Sequence, residues 1–216
     1  MLDENVIAEL VGRKVVSDTF RRLTPEKKEL VYRTAIRLFG KYGFDGLPVD
    51  RICREAGISK GSFFQYFLSK SHLLEFTVLM FDHYLALWVA EIRRSETAVL
   101  ARDRLLHLYR SIVVNSKLYA AEQMFYLFAT RALHHSAVVL EGIDLARHFD
   151  EYVTEIISRG ERTGEIRGDF DIGLTGQLTS LVLGALVNAS YAGAAETPRR
   201  RMETYLISFL FDGIKA

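Results

Sequence analysis

Cysteine and proline are both scarce in this chain, with one Cys and three Pro among 216 residues. Because the lone Cys53 has no partner for an internal disulfide, we expect a reducing compartment, the cytoplasm. No charged and then apolar leader with a cleavage site opens the sequence, so secretion is not expected. The most apolar run, 178–195, is interrupted by polar side chains. A membrane span requires about 20 mostly apolar residues, so we predict no membrane association.

The motifs of common enzyme and metal sites are missing as well. The sequence contains no His-Glu-x-x-His, no cysteine pair and no Gly-rich phosphate loop, and its serines lack a nucleophile elbow. His134 and His135 are adjacent, and neighbours in a helix diverge by ~100°, so they do not easily share a metal. We therefore predict that the chain is not an enzyme and has no metal or cofactor site.

The net charge is only +1, but it is unevenly distributed. Residues 13–70 carry 13 basic and 6 acidic side chains, a net charge of +7. Residues 1–12 and residues 71–216 each have a net charge of −3. Such a concentration of positive charge is typical of a surface that binds nucleic-acid phosphates, although a solvated basic face is the alternative.

Residues 47–74 carry the pattern of a helix-turn-helix. Apolar residues at the spacing of one helix face come first: Val49, Ile52, Cys53 and Ala56. Gly57 stands where a helix end needs left-handed backbone, and Ser59 suits the start of a second helix. A crossed pair of short helices leaves one face of the second helix free for the DNA major groove.

The free face of the second helix follows from ~100° per residue. Phe63 and Phe67 should point into the core, and Gly61 and Gln65 should point away from it. The predicted DNA contacts lie on this face and beside it: Val49, Arg51, Ser59, Lys60, Gly61, Ser62, Phe64, Gln65, Tyr66 and Lys70. An ordinary surface helix is the alternative, which the agreement of turn, cap and charge disfavours.

These contacts divide into base reading and phosphate anchoring. Gln65 suits adenine and Lys60 suits guanine, while Phe64 suits a thymine methyl group. Lys70 lies in the first turn of a helix, where free amides attract phosphate, so with Ser62 it is predicted to hold the DNA backbone. Tyr66 is assigned the same anchoring role.

Residues 24–74 resemble the DNA-binding domain of the tetracycline-repressor (TetR) family of bacterial regulators. The matching residues are Ala35, Leu38, Phe39, Gly43, Ile52, Ala56, Gly57, Ser59, Lys60, Gly61, Ser62, Phe63, Tyr66, Phe67, Ser69, Lys70, Leu73 and Leu74. Three positions depart from the family pattern: Leu47 and Pro48 replace the usual Thr or Ser, and Phe64 replaces a common Tyr. The alternative function is therefore a family-like dimer that has lost DNA binding and binds a small molecule or a partner protein.

The predicted fold class is all-α. A three-helix helix-turn-helix domain over 24–72 follows an N-terminal extension, 1–23, and a long helix joins it to a helical ligand-binding and dimerisation domain, 73–216. The extension is predicted either as a short extra helix or as a loose tail, and its Arg21 and Arg22 are candidates for reaching DNA. The later helices are predicted at about 98–114, 117–134, 137–162, 171–194 and 197–213.

The second domain is predicted to bind a small, largely apolar effector, because the resemblance implies a pocket there. Its candidate lining residues are Phe76, Met80, Phe81, Tyr84, Trp88, Tyr109, Met124, Phe125, Phe128 and Tyr152. A plain hydrophobic core is the alternative for the same residues. The chain is predicted to repress transcription by binding an inverted repeat of double-stranded DNA as a homodimer.

A row of small residues, Gly176, Ser180 and Gly184, recurs at every fourth position and permits close approach of another backbone. The predicted dimer interface comprises the apolar neighbours of this row and a face of the last helix: Leu178, Leu181, Val182, Ala185, Leu186, Met202, Tyr205, Leu206 and Phe209. Packing of both helices within one chain is the alternative.

Overall fold

The computed structural model describes residues 2–134 and 143–192, together with Thr204 and Asp212. Over these residues the chain is helical and contains no strand, which confirms the all-α class. The helices are α1 Glu4–Gly12, α2 Asp18–Arg21, α3 Pro25–Tyr42, α4 Val49–Ala56, α5 Lys60–Tyr66, α6 Lys70–Ser95, α7 Ala101–Leu118, α8 Ala120–His134, α9 Arg147–Arg162 and α10 Ile172–Ala192. The helix predicted at 197–213 lies outside the described residues, apart from Thr204 and Asp212.

The helices form two compact units. The first unit comprises residues 1–85 and 119–145, and the second comprises residues 86–118 and 146–216. Helix α6 contributes its residues up to Leu85 to the first unit and those from Ala86 to the second. These units reflect packing, whereas the predicted domains reflect function, so the boundaries 1–23, 24–72 and 73–216 stay a prediction.

Local signals in the first unit set the ends of α3. The Thr24 hydroxyl accepts a hydrogen bond from the Lys27 amide at 3.5 Å, and Pro25 is the first helical residue. After Tyr42, Gly43 takes a φ of 69°, which a residue with a Cβ rarely adopts. Both ends of α3 are therefore set by residues next to them in the sequence.

Helix α8 packs against α3 within the first unit, and Gly40 makes this approach possible. A Cβ on Gly40 would lie 2.8 Å from the backbone nitrogen of Phe125. Phe39 stacks on Phe128 with ring centroids 6.1 Å apart, and Phe81 meets Phe125 edge-on at 5.2 Å. The glycine therefore lets the two backbones approach while the aromatic rings on either side fill the core.

The N-terminal extension forms helices α1 and α2, rather than the loose tail that was the alternative prediction. Its apolar residues are buried in the first unit: Ile7, Leu10, Val15, Val16 and Phe20. An extension that buries five apolar side chains is part of the hydrophobic core rather than an appendage.

Lys28 of α3 anchors this extension through an almost fully buried ammonium group. Its Nζ donates to both carboxylate oxygens of Glu4, at 2.5 and 2.7 Å, and to the Arg21 carbonyl at 3.0 Å. The Lys28 side chain is 4% exposed, whereas that of Glu4 is 55% exposed. A buried cation is stable only with such partners.

We expect Glu4→Gln to lower the free energy of unfolding by about 1–3 kcal/mol, because it leaves the Lys28 charge buried without its counter-ion. Lys28→Met removes the charge itself and leaves only the exposed Glu4 carboxylate without this partner, so its effect on the free energy of unfolding should be smaller. Urea unfolding of both variants measures the difference. A larger loss in Lys28→Met than in Glu4→Gln would contradict this assignment.

The core of the second unit is formed by the end of α6 together with α7, α9 and α10. Tyr109, Tyr152 and Ile157 are among its buried residues. The Glu165 carboxylate accepts hydrogen bonds from the first amide of α7, Ala101 N at 2.6 Å, and from Arg102 N at 3.2 Å. This carboxylate caps α7 from the segment that follows α9.

Helix α9 is shorter than predicted. The sequence predicts a helix over 137–162, but α9 begins at Arg147, and residues 143–146 are not helical. Asp144 within this segment is a weak helix former, because its short carboxylate competes for nearby backbone amides and so favours turns. The predicted end of this helix at residue 162 is confirmed, and Gly164 just after it has a φ of 76°. Residues 137–142 of the predicted helix lie outside the described residues.

Helix α6 is long and apolar enough to cross a membrane by length and composition. Half of its most apolar 18-residue window is buried within the protein. Core helices of soluble proteins have the same character, so this helix by itself is weak evidence for a membrane span.

Candidate nucleic-acid interface

Helices α4 and α5 are joined by the turn that the sequence predicts. Gly57 adopts left-handed backbone, with φ 65° and ψ 33°, and the Ile58 amide donates to the Cys53 carbonyl at 3.0 Å. The Ser59 hydroxyl accepts a hydrogen bond from the Ser62 amide at 2.9 Å, which caps α5. Pro48 lies just before α4 rather than at its first position, and α4 has no side-chain cap there.

Helix α5 has one buried and one exposed face. Phe63 and Phe67 are 0% and 1% exposed, whereas Gly61 and Gln65 are exposed to solvent. Phe64 is 48% exposed, although its ring meets that of Phe63 edge-on. The orientation predicted from helical spacing is confirmed, and the face of α5 that carries Gly61 and Gln65 is open to solvent.

Around this face, the remaining predicted contact residues differ in exposure. Ser59 and Lys60 are exposed, whereas the other five are half-buried: Val49, Arg51, Ser62, Tyr66 and Lys70. Ser59 caps α5, and the others lie on α4, on α5 or at the start of α6. Their contact with DNA stays a prediction.

Lys60 is paired with an acidic residue that the sequence reasoning missed. Its Nζ lies 2.8 Å from Asp50 Oδ1, and both side chains are largely exposed. The hydrogen bond to Asp50 raises the pKa of Lys60 above its usual value. A guanine contact by Lys60 therefore requires this exposed ion pair to open.

The Lys70 ammonium group forms hydrogen bonds within the protein. Its Nζ donates to the Phe44 carbonyl at 2.6 Å and to the Leu47 carbonyl at 3.0 Å, and it lies 4.3 Å from the centroid of the Phe44 ring. An ammonium group has three N–H donors, and two of them hold the loop between α3 and α4. The structure thus assigns Lys70 a structural contact in addition to its predicted phosphate contact.

A group of cations surrounds Tyr42 and Glu55. Arg51 lies 4.3 Å from the Tyr42 ring centroid, and Arg37 bonds the Glu55 carboxylate at 2.7 Å. The hydrogen bond from Arg37 is the main cause that lowers the pKa of Glu55. Sequence reasoning missed Arg37 and Tyr42 as neighbours of Arg51, since they belong to different helices.

The predicted effector residues divide between the two units. In the first unit, Phe76, Met80, Phe81 and Phe125 are buried, Tyr84 and Phe128 are half-buried, and Met124 is 49% exposed. In the second unit, Tyr109 and Tyr152 are buried, and Trp88 meets Phe149 edge-on at 5.5 Å. Ligand binding by these residues stays a prediction.

Three of the five predicted dimer residues of α10 are exposed apolar side chains of the second unit. Leu178 and Leu181 are 52% and 69% exposed, Ala185 is exposed, and Val182 and Leu186 are half-buried. The other four predicted residues lie outside the described part of the chain: Met202, Tyr205, Leu206 and Phe209.

The two glycines in the row of small residues on α10 have different surroundings. A Cβ on Gly176 would lie 3.2 Å from the Cα of Thr154, so α9 of the same chain makes the close approach there. A Cβ on Gly184 would meet nothing within 4 Å. Only the later part of the row is open to a second chain.

Comparison with known proteins places this site in a family. Residues 31–76, which include α4 and α5, match the family model described as bacterial regulatory proteins, tetR family. An uncharacterized HTH-type transcriptional regulator of Bacillus subtilis, YerO, is 51% identical over 49 residues, which are 23% of this chain and 17% of the relative. A second one, YuxN, is 45% identical over the same shares. These alignments thus span less than a fifth of either relative's length.

The fold is shared with solved structures over most of the chain. A TetR family transcriptional regulator from Chloroflexus aurantiacus aligns with a TM-score of 0.68 and 20% identity, covering 93% of this chain and 99% of that one. The ketosteroid regulator KstR2 of Mycobacterium tuberculosis aligns at 0.64 and 20% identity, covering 90% and 97%. The fatty acid degradation regulator FadR from Bacillus halodurans aligns at 0.67 and 18% identity, covering 88% and 98%.

The fold and the site define an all-α helix-turn-helix protein of the DNA-binding class. The family match shows that residues 31–76, which include α4 and α5, form a helix-turn-helix segment of the TetR family of bacterial regulatory proteins. The resemblance seen in residues 24–74 is confirmed.

Proposed function

We propose that this chain is a cytoplasmic repressor that binds an inverted-repeat operator as a homodimer and is released by a small, largely apolar effector. The observation that carries the proposal is the exposed face of α5. Gly61, Phe64 and Gln65 are accessible there, within a segment whose net charge is +7. Polar and small side chains read base edges, and surrounding cations bind phosphates.

The exposed strip of α10 supports the homodimer. Leu178 and Leu181 present large apolar surfaces, and Gly184 beside them leaves room for another backbone. Apolar patches of this kind mark protein interfaces, and a two-fold dimer would place two α5 helices one DNA turn apart. The inverted repeat follows from this symmetry.

Two buried polar groups in the second unit support the effector. Within the described residues, the hydroxyl oxygens of Tyr152 and Ser180 are buried without a hydrogen-bond partner. Buried hydroxyls usually have partners, and a ligand with a polar end would supply one. An effector that binds two states of the protein unequally would then shift DNA affinity.

The test is recovery of genomic DNA fragments bound by the protein, followed by mobility-shift titration against random duplex. We expect the recovered fragments to share an inverted repeat and to bind tighter than random duplex by about 10³-fold or more. Equal, salt-dependent binding to both would contradict operator recognition. Absence of any DNA binding would instead support the ligand-binding dimer.

We expect Asp50→Asn to tighten DNA binding by about threefold to tenfold at low salt, on specific and random duplexes alike. The change removes an exposed negative charge from the interface and frees Lys60 for a phosphate or base. Titrations over a salt series measure this, and the slope should steepen by about one counterion. Glu91→Gln is the control, since it also removes an exposed acid that is paired with a basic side chain, here Arg94, but far along α6. An unchanged slope in Asp50→Asn would contradict a DNA-facing position.

A further inference from the structure

The N-terminal extension is bonded to the C-terminal end of α5, the proposed recognition helix. The Ser17 amide donates to the Tyr66 carbonyl at 3.0 Å, and the Ser17 hydroxyl donates to the Gln65 carbonyl at 2.6 Å. The last carbonyls of a helix have no partners within it. Ser17 supplies two of the missing donors from a segment 48 residues earlier in the chain.

The same serine also organises the extension. Its hydroxyl accepts a hydrogen bond from the Phe20 amide at 3.2 Å and so caps α2. Phe20 is fully buried, with its ring 5.9 Å from that of Tyr66 and 5.0 Å from that of Phe67. Two hydrogen bonds from Ser17 and two ring contacts of Phe20 therefore join the start of α2 to the end of α5.

The extension is fixed at other points that lie away from α5. Glu4 bonds the buried ammonium of Lys28 on α3, as described above. Asp3 lies 3.3 Å from the His83 ring, and Arg13 lies 3.7 Å from Glu75, both on α6. The extension thus contacts α5 at one end and is also bonded to α3 and α6.

The two basic residues at the end of α2, Arg21 and Arg22, both form ion pairs with Asp18. Arg21 and Arg22 lie 3.8 and 2.5 Å from the Asp18 carboxylate. This local pairing reduces the positive charge available for a phosphate. The extension is therefore better suited to hold α5 than to bind DNA itself.

We propose that residues 3–22 are a brace and that Ser17 is a positioning residue for DNA recognition. By holding the Gln65 and Tyr66 carbonyls, Ser17 fixes the end of α5 that carries the Gln65 side chain. Specific binding requires that side chain in register with a base edge, whereas non-specific binding requires only charge near phosphates. The inference rests on the proposed function of α5.

The test compares variants on two DNA probes: a genomic fragment selected by the wild-type protein, and a random duplex of equal length. Ser17→Ala removes the hydroxyl, and Ser17→Gly removes it while keeping a residue that is tolerated at a helix cap. Ser17→Thr keeps a hydroxyl donor and cap. Thr24→Ala is the matched control, because it removes the cap of α3 in the same unit and makes no bond to α5.

We expect Ser17→Ala and Ser17→Gly to bind the selected fragment about tenfold more weakly, with random-duplex affinity within about twofold and an unchanged salt slope. Amide hydrogen exchange at residues 63–67 of the free protein should accelerate in both. Ser17→Thr should restore affinity, and Thr24→Ala should leave the ratio of the two affinities unchanged.

An unchanged ratio in Ser17→Ala and Ser17→Gly would overturn the brace. Equal weakening on both probes with a flatter salt slope would overturn it too, because it would indicate a phosphate contact by the extension. If the wild-type protein itself prefers no fragment over random duplex, the proposed function fails and the inference fails with it.

Discussion

Replacement of Phe20 by Ala is expected to lower the free energy of unfolding by about 3–5 kcal/mol. Phe20 has no exposed surface, and its ring packs against Tyr66, Phe67 and Phe76. Removing it leaves a cavity where the extension, α5 and α6 meet. Urea unfolding followed by circular dichroism measures the loss, which would be a large share of the stability of a domain.

Phe64→Ala is the matched control, since it deletes the same ring from the same unit. Phe64 is 48% exposed, so its removal should change stability by at most about 1 kcal/mol. Phe64→Ala should instead weaken binding to the selected DNA fragment, whereas the main effect of Phe20→Ala should be the loss of stability. Similar unfolding curves for the two variants would contradict the burial assigned to Phe20.

The faces of α5 were predictable from the sequence because they depend on local geometry alone. A helix advances ~100° per residue, so Phe63 and Phe67 had to share a side and Gln65 had to oppose them. Gly57 and Ser59 act on their immediate neighbours, and the structure places both as predicted. Signals that operate within one turn of helix can be read without knowing the rest of the fold.

The partners of the two lysines could not be predicted in this way. Lys60 meets Asp50 across the turn between helices, and Lys70 meets the carbonyls of Phe44 and Leu47 in a loop more than 20 residues away. Periodicity describes one helix at a time. Every residue has a backbone carbonyl, so the residue type does not indicate which carbonyl accepts a hydrogen bond. These contacts depend on the angle between helices, which only the folded chain reveals.

The extension shows a similar limit. The spacing of Ile7 and Leu10 indicates a helix, yet nothing in residues 1–22 specifies that Ser17 meets the end of α5. The break before α9 is the opposite case, because a local signal was present at Asp144 and was outweighed by the apolar pattern on either side. Long apolar periodicity conceals single weak helix formers.

Gln65→Ala is expected to alter which DNA sequences are bound, with little change in stability. A bidentate pair between Gln and adenine contributes about 1–3 kcal/mol of discrimination, so each half-site should lose roughly fivefold to 150-fold in preference for its adenine. The Gln65 side chain is exposed, and the bond from Ser17 to its carbonyl is retained in the variant. Selection of fragments from a randomised duplex library by the wild type and by the variant measures the change.

Lys70→Gln is the comparison, and the structure sharpens what it should do. Loss of the ammonium weakens binding to every sequence and flattens the salt slope by about one counterion if Lys70 holds a phosphate. It also removes the donors to the Phe44 and Leu47 carbonyls, so a loss of about 1–3 kcal/mol in unfolding free energy is expected as well. Lost stability with an unchanged salt slope would make Lys70 a loop anchor only. If Gln65→Ala and Lys70→Gln selected the same sequences and shifted affinity equally, the division between base reading and backbone anchoring would be wrong.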